Sequence, residues 1–319
     1  GAGLFDPSGT GYGGPGITLD ASADDHTLLF AAGGAGGDVV GFAASAVVNM
    51  FDSVVDARIG NAVVNGDTSG AAAAQSVRVR AEHRAFHLSV AGAFGGSGTA
   101  GIGLAATVET HDKFVQATVS DGAEVTARDD LLVEAELDEE FVVFAASGAY
   151  GGSASIAGSA AVLELTSGTL ATVGDATVGI GGLLDVSADS DLKIVSVAGN
   201  LGYGGSAGVG LSNSTVIHHD STNAFIGDGA VVTALAGVAV NAASREKLTT
   251  TSIAGSAGGS AGVAGSAVVN DLNETTRAWI GDGTSINSDN TGAASTQDVV
   301  VRATDDTELI SVAGALGAA

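Results

Sequence analysis

Alternation with a period of two runs through the chain. In five places an alanine (Ala57, Ala117, Ala171, Ala224, Ala278) is followed two residues later by Ile59, Val119, Val173, Ile226 or Ile280. The residue between them varies: Arg58, Thr118, Thr172, Phe225 and Trp279. Residues i and i+2 of a strand share a face, so the Ala and Ile/Val positions are expected to face a core and the variable one to point out. A turn follows each run: Gly60-Asn61, Ser120-Asp121-Gly122, Gly174-Asp175, Gly227-Asp228-Gly229 and Gly281-Asp282-Gly283. Asp and Gly suit positive φ and side-chain capping there. A third, β-branched strand is expected at 77–81, 131–135, 183–187, 238–242 and 299–303, with its charges mostly alternating outward. Before it, the polar inserts 67–76 and 288–298 read as loops on one side of the molecule.

Other stretches contain almost nothing but Gly, Ala, Ser and Val, most clearly 251–270. Gly costs about 1 kcal/mol relative to Ala inside a helix, so extended strands with small side chains on both faces fit better. No helix is indicated anywhere.

These segments form a repeat. Val90-Ala-Gly-Ala-Phe-Gly-Gly-Ser returns at 145, 197 and 253, in degenerate form at 31 and truncated at 312. Paired glycines begin at Gly36, Gly95, Gly151, Gly204 and Gly258, with spacings of 59, 56, 53 and 54. Such a period implies stacked units that bury their faces against one another. The expected fold is all-β, a parallel β-solenoid rod of tandem repeats about 51–60 residues long. With roughly 20 residues per coil, each unit is expected to hold two or three coils. Residues 1–25 read as a non-repeat cap or linker, and 26–319 as the array, with approximate units 26–85, 86–140, 141–192, 193–247, 248–307 and a partial 308–319. Phe94, Tyr150 and Leu316 are expected to form one ladder, joined by Tyr203 after a two-residue insertion, and to pack in the core.

Composition narrows the function. The 319 residues include 50 Gly, 2 Pro and no Cys, with a net charge of -25. The absence of Cys leaves no disulfide staple. Only three lysines are present, which argues against nucleic acid and anionic membranes, since both demand clustered cations. Strong acidity keeps a long polymer soluble and self-repelling. The chain starts without Met and stops inside a repeat, so it reads as a piece of something longer. The uncharged stretches 141–163 and 248–270 are long enough to span a bilayer, but they are laced with Gly and Ser and alternate in period two. Barrel strands fit the alternation better, yet a barrel wants aromatic girdles and the chain has one Trp and three Tyr.

Candidate chemistry is sparse. The six histidines form no metalloprotease-type pattern, and His218-His219 reads as a solvated turn. No convincing nucleophile elbow or dinucleotide fingerprint appears. Ice binding and polysaccharide lysis lack, respectively, a regular Thr-x-Thr face and a basic groove. Calcium is the candidate cofactor, at the turn aspartates Asp121, Asp175, Asp228 and Asp282, because hard cations want several oxygens at one point. Solvated turn caps are the competing reading. Phe225 and Trp279, on equivalent outward positions, are candidate glycan contacts.

The run Gly-Gly-Ser-Ala-Gly-Val-Ala-Gly-Ser-Ala-Val-Val, then Ala-Trp-Ile-Gly-Asp-Gly and Val-Val-Val-Arg-Ala, resembles the repeats of giant bacterial filamentous adhesins and β-strand repeat surface proteins, the leukotoxin-like filamentous adhesin type. The resemblance covers roughly 26–319. It implies secretion, an extracellular or cell-surface location and an extended β-rich stalk, and it brings no catalytic residues. The expected function is therefore a non-enzymatic structural rod segment of a surface adhesin or coat. The alternatives are a self-assembling subunit of an extracellular filament or sheath and, more distantly, a glycan-binding solenoid. Expected partners are further copies, neighbouring repeats of a longer chain or environmental glycans.

Overall fold

The computed structural model describes residues 16–319. Each repeat is one coil. The first coil contains β1 (Gly16–Gly37), β2 (Val40–Ile59) and β3 (Val63–Val64). The second contains β4 (Ser76–Ser97), β5 (Ala100–Val119) and β6 (Glu124–Ala127). The third contains β7 (Leu131–Gly151), β8 (Ala154–Val173) and β9 (Thr177–Ile180). The fourth contains β10 (Leu183–Gly204), β11 (Ala207–Ile226) and β12 (Val231–Ala234). The fifth contains β13 (Gly237–Gly258), β14 (Ala261–Ile280) and β15 (Ser285–Ile286), and β16 (Val299–Ala318) starts a sixth.

Equivalent strands pair in parallel, so three sheets run along the axis. The first has the order β1-β4-β7-β10-β13-β16, the second β14-β11-β8-β5-β2 and the third β15-β12-β9-β6-β3. The fold is a parallel β-solenoid, as the repeat implied. No helix occurs among the described residues.

The expectation of two or three coils per repeat is corrected. A coil here holds two strands of 20–22 residues plus a short third one, so one repeat is used up in a single circuit. At about 3.3 Å per residue and 4.8 Å between strands, the molecule is a blade about 70 Å long and only about 24 Å tall. The supposed third strand at 77–81 is corrected too: it opens β4, which runs on without a break into the Gly-Gly-Ser segment. The true third strand is the short one after the Asp turn. Strand β1 begins at Gly16, opposite Ser76, so residues 16–25 run in register with the array; 1–15 lie outside the described residues. The inserts follow β3 and β15 as loops, with Asn65 and Asn287 in positive φ at their starts.

The blade has a base and a tip. At the base the three sheets enclose a triangular core, and the sequence-derived parity holds there. Ala117, Val119, Ala171, Val173, Ala224 and Ile226 are buried and join Val77, Val79, Leu131, Val133, Leu184 and Val186 in one aliphatic cluster. Burying each of the Val, Leu and Ile side chains contributes about 1.5–3 kcal/mol.

Toward the tip the third sheet is absent and the two long sheets close onto each other. Their inward positions become Gly, Ala and Ser. A Cβ added at Gly95 would overlap the Ile102 carbonyl oxygen, one at Gly103 that of Gly148, and one at Gly204 that of Ala207. Backbone thus packs on backbone, closer than the usual 10 Å between sheets. Bulky apolar residues have no room inside and stand on the outer faces: Phe94, Tyr150, Leu201, Tyr203, Leu211 and Leu316 are exposed.

Candidate functional site

The turn aspartates form the column that one coil per repeat dictates. Asp121 Oδ1 accepts the Asp175 N–H at 2.9 Å, and Asp228 Oδ1 accepts that of Asp282 at 2.7 Å. The N–H groups of Gly122 and Gly229 donate to the carbonyls of Asp175 and Asp282 at 2.7 and 2.9 Å. Gly122, Gly229 and Gly283 hold φ of 73°, 79° and 70°, where a side chain would be strained. The carboxylates of Asp121 and Asp228 therefore act on the next coil's backbone. Among the described residues no group of three or more His, Asp or Glu converges as a cation site.

Phe225 and Trp279 stack on each other, with ring centroids 4.2 Å apart and planes 11° apart. As register partners on adjacent strands, they turn their faces along the solenoid axis and their edges outward.

The expected aromatic ladder is corrected. Phe94 pairs with Gly148, which pairs with Leu201, then Gly255 and Leu316. Tyr150 lies one row nearer the tip and pairs directly with Tyr203 without an insertion; their rings stack at 5.7 Å. The Gly-Gly motif slips between the second and third coils, and this slip misaligned the row. These side chains are not core: Phe94 is 56% and Leu201 72% exposed, because the glycine-thin interior cannot hold them.

A second feature escaped sequence reasoning. Between base and tip the coil interior carries buried ionisable groups. Lys113, 1% exposed, pairs with Glu139 at 2.8 Å and contacts His87 Nε2 at 3.1 Å. Ser167 donates to Glu139 at 3.1 Å. His111 pairs with Glu109 at 3.0 Å and His83 with Asp25 at 2.7 Å. Phe51 and Phe141 flank the ammonium, each 5.4 Å from it. Burial, reinforced by Lys113, holds His87 down at about 3, so its ring is neutral and its Nε2 accepts a hydrogen bond from the Lys113 ammonium.

Two coils on, His218 is buried and pairs with Glu246 at 3.0 Å. The reading of His218-His219 as a turn is corrected: both lie within β11, and parity sends His218 inward and leaves His219 exposed. Burial lowers His218 and raises Asp220 to about 6, Glu246 to about 7 and Glu274 to about 7. Thr222 donates to Asp220 at 2.8 Å and Thr307 to Glu274 at 2.7 Å. The only signal in the sequence was strand parity: the inward positions of β1, β4, β5, β7, β11, β13 and β14 place these groups inside.

On its outer face the base half of the six-stranded sheet is laced across coils by ion pairs, Arg78–Glu134 at 2.7 Å, Arg80–Glu136 at 2.8 Å and Arg245–Asp191 at 3.2 Å. Surface pairs of this kind, partly or fully exposed, contribute little, about 0–1 kcal/mol each. They do fix register between coils. Compared with known proteins, the chain matches no family model, no curated protein and no solved structure.

Proposed function

We propose that this chain is a non-enzymatic structural module of a secreted bacterial surface protein, a solenoid segment that adds width and stiffness to a coat or stalk. The observation that carries this reading is unbroken in-register parallel pairing of the long strands, with one coil per repeat, from β1 to β16 and from β2 to β14. Each coil of about 54 residues adds only about 4.8 Å of height but some 20 backbone pairings per long strand. That geometry is inefficient for reach and effective against bending, so it favours the coat over the long thin stalk. The resemblance of the repeats to giant surface adhesins supports the same class. Extracellular placement agrees with the acidity.

Electron microscopy of the purified chain over a concentration series, with and without calcium, tests this. Discrete particles are expected, single blades about 70 Å long or face-to-face pairs of them, with no growth along the axis. Uniform fibres grown along the axis would instead make self-assembly the function, and their loss in chelator would give the turn aspartates a metal role. Turnover of a polymeric substrate would overturn the structural reading.

A further inference from the structure

We infer that the tip half of the six-stranded sheet's outer face docks a second copy of this chain, laid antiparallel with the two bases pointing away from each other. Four observations carry this.

The first is chemistry. Across the tip half of each strand in this sheet, from 28–37 in β1 to 310–318 in β16, no Asp, Glu, Lys, Arg or His occurs. The large side chains there lie in solvent, with Leu316 at 73%. Contiguous exposed apolar surface of this kind marks an interaction site. The uncharged stretches that look membrane-spanning in the sequence are this tip: out along one sheet and back along the other.

The second is area. About ten residues at 3.3 Å, across six strands at 4.8 Å, give a face on the order of 900 Å². A stable protein interface takes about 800 Å² from each partner. One such face therefore suffices for a dimer.

The third is relief. Phe94, Leu201 and Leu316 stand on every second strand, and each of the first two leans over a glycine of the next: a Cβ at Gly148 or Gly255 would lie 2.8 Å from Phe94 or Leu201. Ridges therefore recur about every 9.6 Å. A groove of about 740 Å³ runs among Phe94, Tyr150, Leu201, Tyr203 and Leu316. Ridge and groove side by side on one face let two copies interdigitate about a two-fold axis.

The fourth is charge. The base half of the same face carries more carboxylates than cations: Glu134, Glu136 and Asp191 pair with Arg78, Arg80 and Arg245, and Asp138, Asp185 and Asp189 add further negative charge. A parallel overlay would press these carboxylates together, whereas an antiparallel one places each acidic base beyond its partner's tip. A bilayer is the rival occupant, because the face is nearly as deep as the hydrocarbon core. The outermost strands would then leave backbone groups without partners in lipid, which the bilayer does not tolerate.

Sedimentation velocity of the whole chain from about 1 to 100 µM tests the inference, with far-UV circular dichroism verifying each variant's fold. The wild-type chain is expected to dimerise. The double variant L201E/Y203E, at exposed positions, is expected to weaken the dimer at least about 100-fold, and Arg245→Ser at the base to change it less than threefold. A spin label at Ser187→Cys is expected to report a separation beyond about 60 Å across the dimer. A chain monomeric at every concentration, or a dimer indifferent to L201E/Y203E, would overturn the inference. So would flotation of a monomeric chain with phosphatidylcholine vesicles, which assigns the face to lipid, or labels closer than about 20 Å, which makes the overlay parallel. The inference stands apart from the axial reading: fibres that persist in L201E/Y203E grow by strand edges, not by this face.

Discussion

The base and the tip of the blade are built from the same strands with opposite rules. At the base, inward positions are Ala, Val, Leu and Ile, and the outward positions of the six-stranded sheet are mostly charged. At the tip, inward positions are Gly, Ala and Ser, and outward ones are Phe, Tyr and Leu. The switch follows from the third sheet. Where it props the long sheets apart, aliphatic side chains fill the gap; where it ends, the sheets meet and only glycine-sized residues fit between them. Hydrophobic burial holds the base, and backbone contact with strand pairing holds the tip. The same alternation yields a core at one end and an exposed apolar face at the other.

The sharpest break in this comparison is a leucine truncation at each end. Leu131→Ala, in the base core, is expected to cost about 2–5 kcal/mol. Leu201→Ala, outward at the tip, is expected to stay within about 0.5 kcal/mol in the monomer. Urea unfolding of both reads the contrast, and equal losses would mean the tip buries its large residues after all.

Splitting the buried pair between the two regions comes next. Lys113→Met leaves Glu139 charged and unpaired in the interior, for a loss of about 3–5 kcal/mol at pH 8. Adding Glu139→Gln should recover much of it, which thermal denaturation of the two variants would reveal.

Overfilling the tip comes third. Gly95→Val forces a side chain against the Ile102 backbone, with an expected loss of about 1–3 kcal/mol and faster proteolysis near the 98–99 turn. Resistance equal to wild type would contradict the backbone-on-backbone tip.

The pH response is the smallest effect and tests the middle zone. Glu246 and Glu274 stand at about 7 in the fold, against an ordinary 4.5. The native state thus holds protons that the unfolded chain releases. Their favourable contribution is complete below about pH 4.5 and is lost as pH rises to about 7. His87 and His218, held low by burial, act the other way: their contribution is complete above 6.5 and lost as pH falls. Glu246→Gln should flatten the decline in melting temperature between pH 5 and 8, and an unchanged slope would show that Glu246 is not protonated in the fold.

Much of the base was legible in the sequence. The Ala117–Val119 parity and the Asp-Gly turns appear as expected. The strand length was not legible. The 22 residues of β4 combine a charged alternating half with a glycine-rich half, and the change of character reads as an element boundary, so one coil looked like two or three. Register at the tip was hidden by repetition: Phe94 and Tyr150 precede similar Gly-Gly-Ser motifs yet lie in different rows. Placing them needed a longer repeat, two coils in length. Odd coils read Phe42-Ala-Ala-Ser, Ile156-Ala-Gly-Ser and Val263-Ala-Gly-Ser, whereas even ones read Ile102-Gly-Leu and Val209-Gly-Leu. His218 was missed because adjacent histidines suggest solvent, while period two divides them between the two faces of a strand.

One coil per repeat is the claim on which the blade, its base and its tip all rest. The cysteine-free chain allows two spin labels on the register partners Ala106 and Ala160, placed through cysteine substitutions. One coil per repeat puts these Cα atoms about 4.8 Å apart, so strong dipolar broadening is expected in the magnetically dilute monomer. Narrow spectra and label separations lengthened by one or two further coils, roughly 5–10 Å, would contradict it.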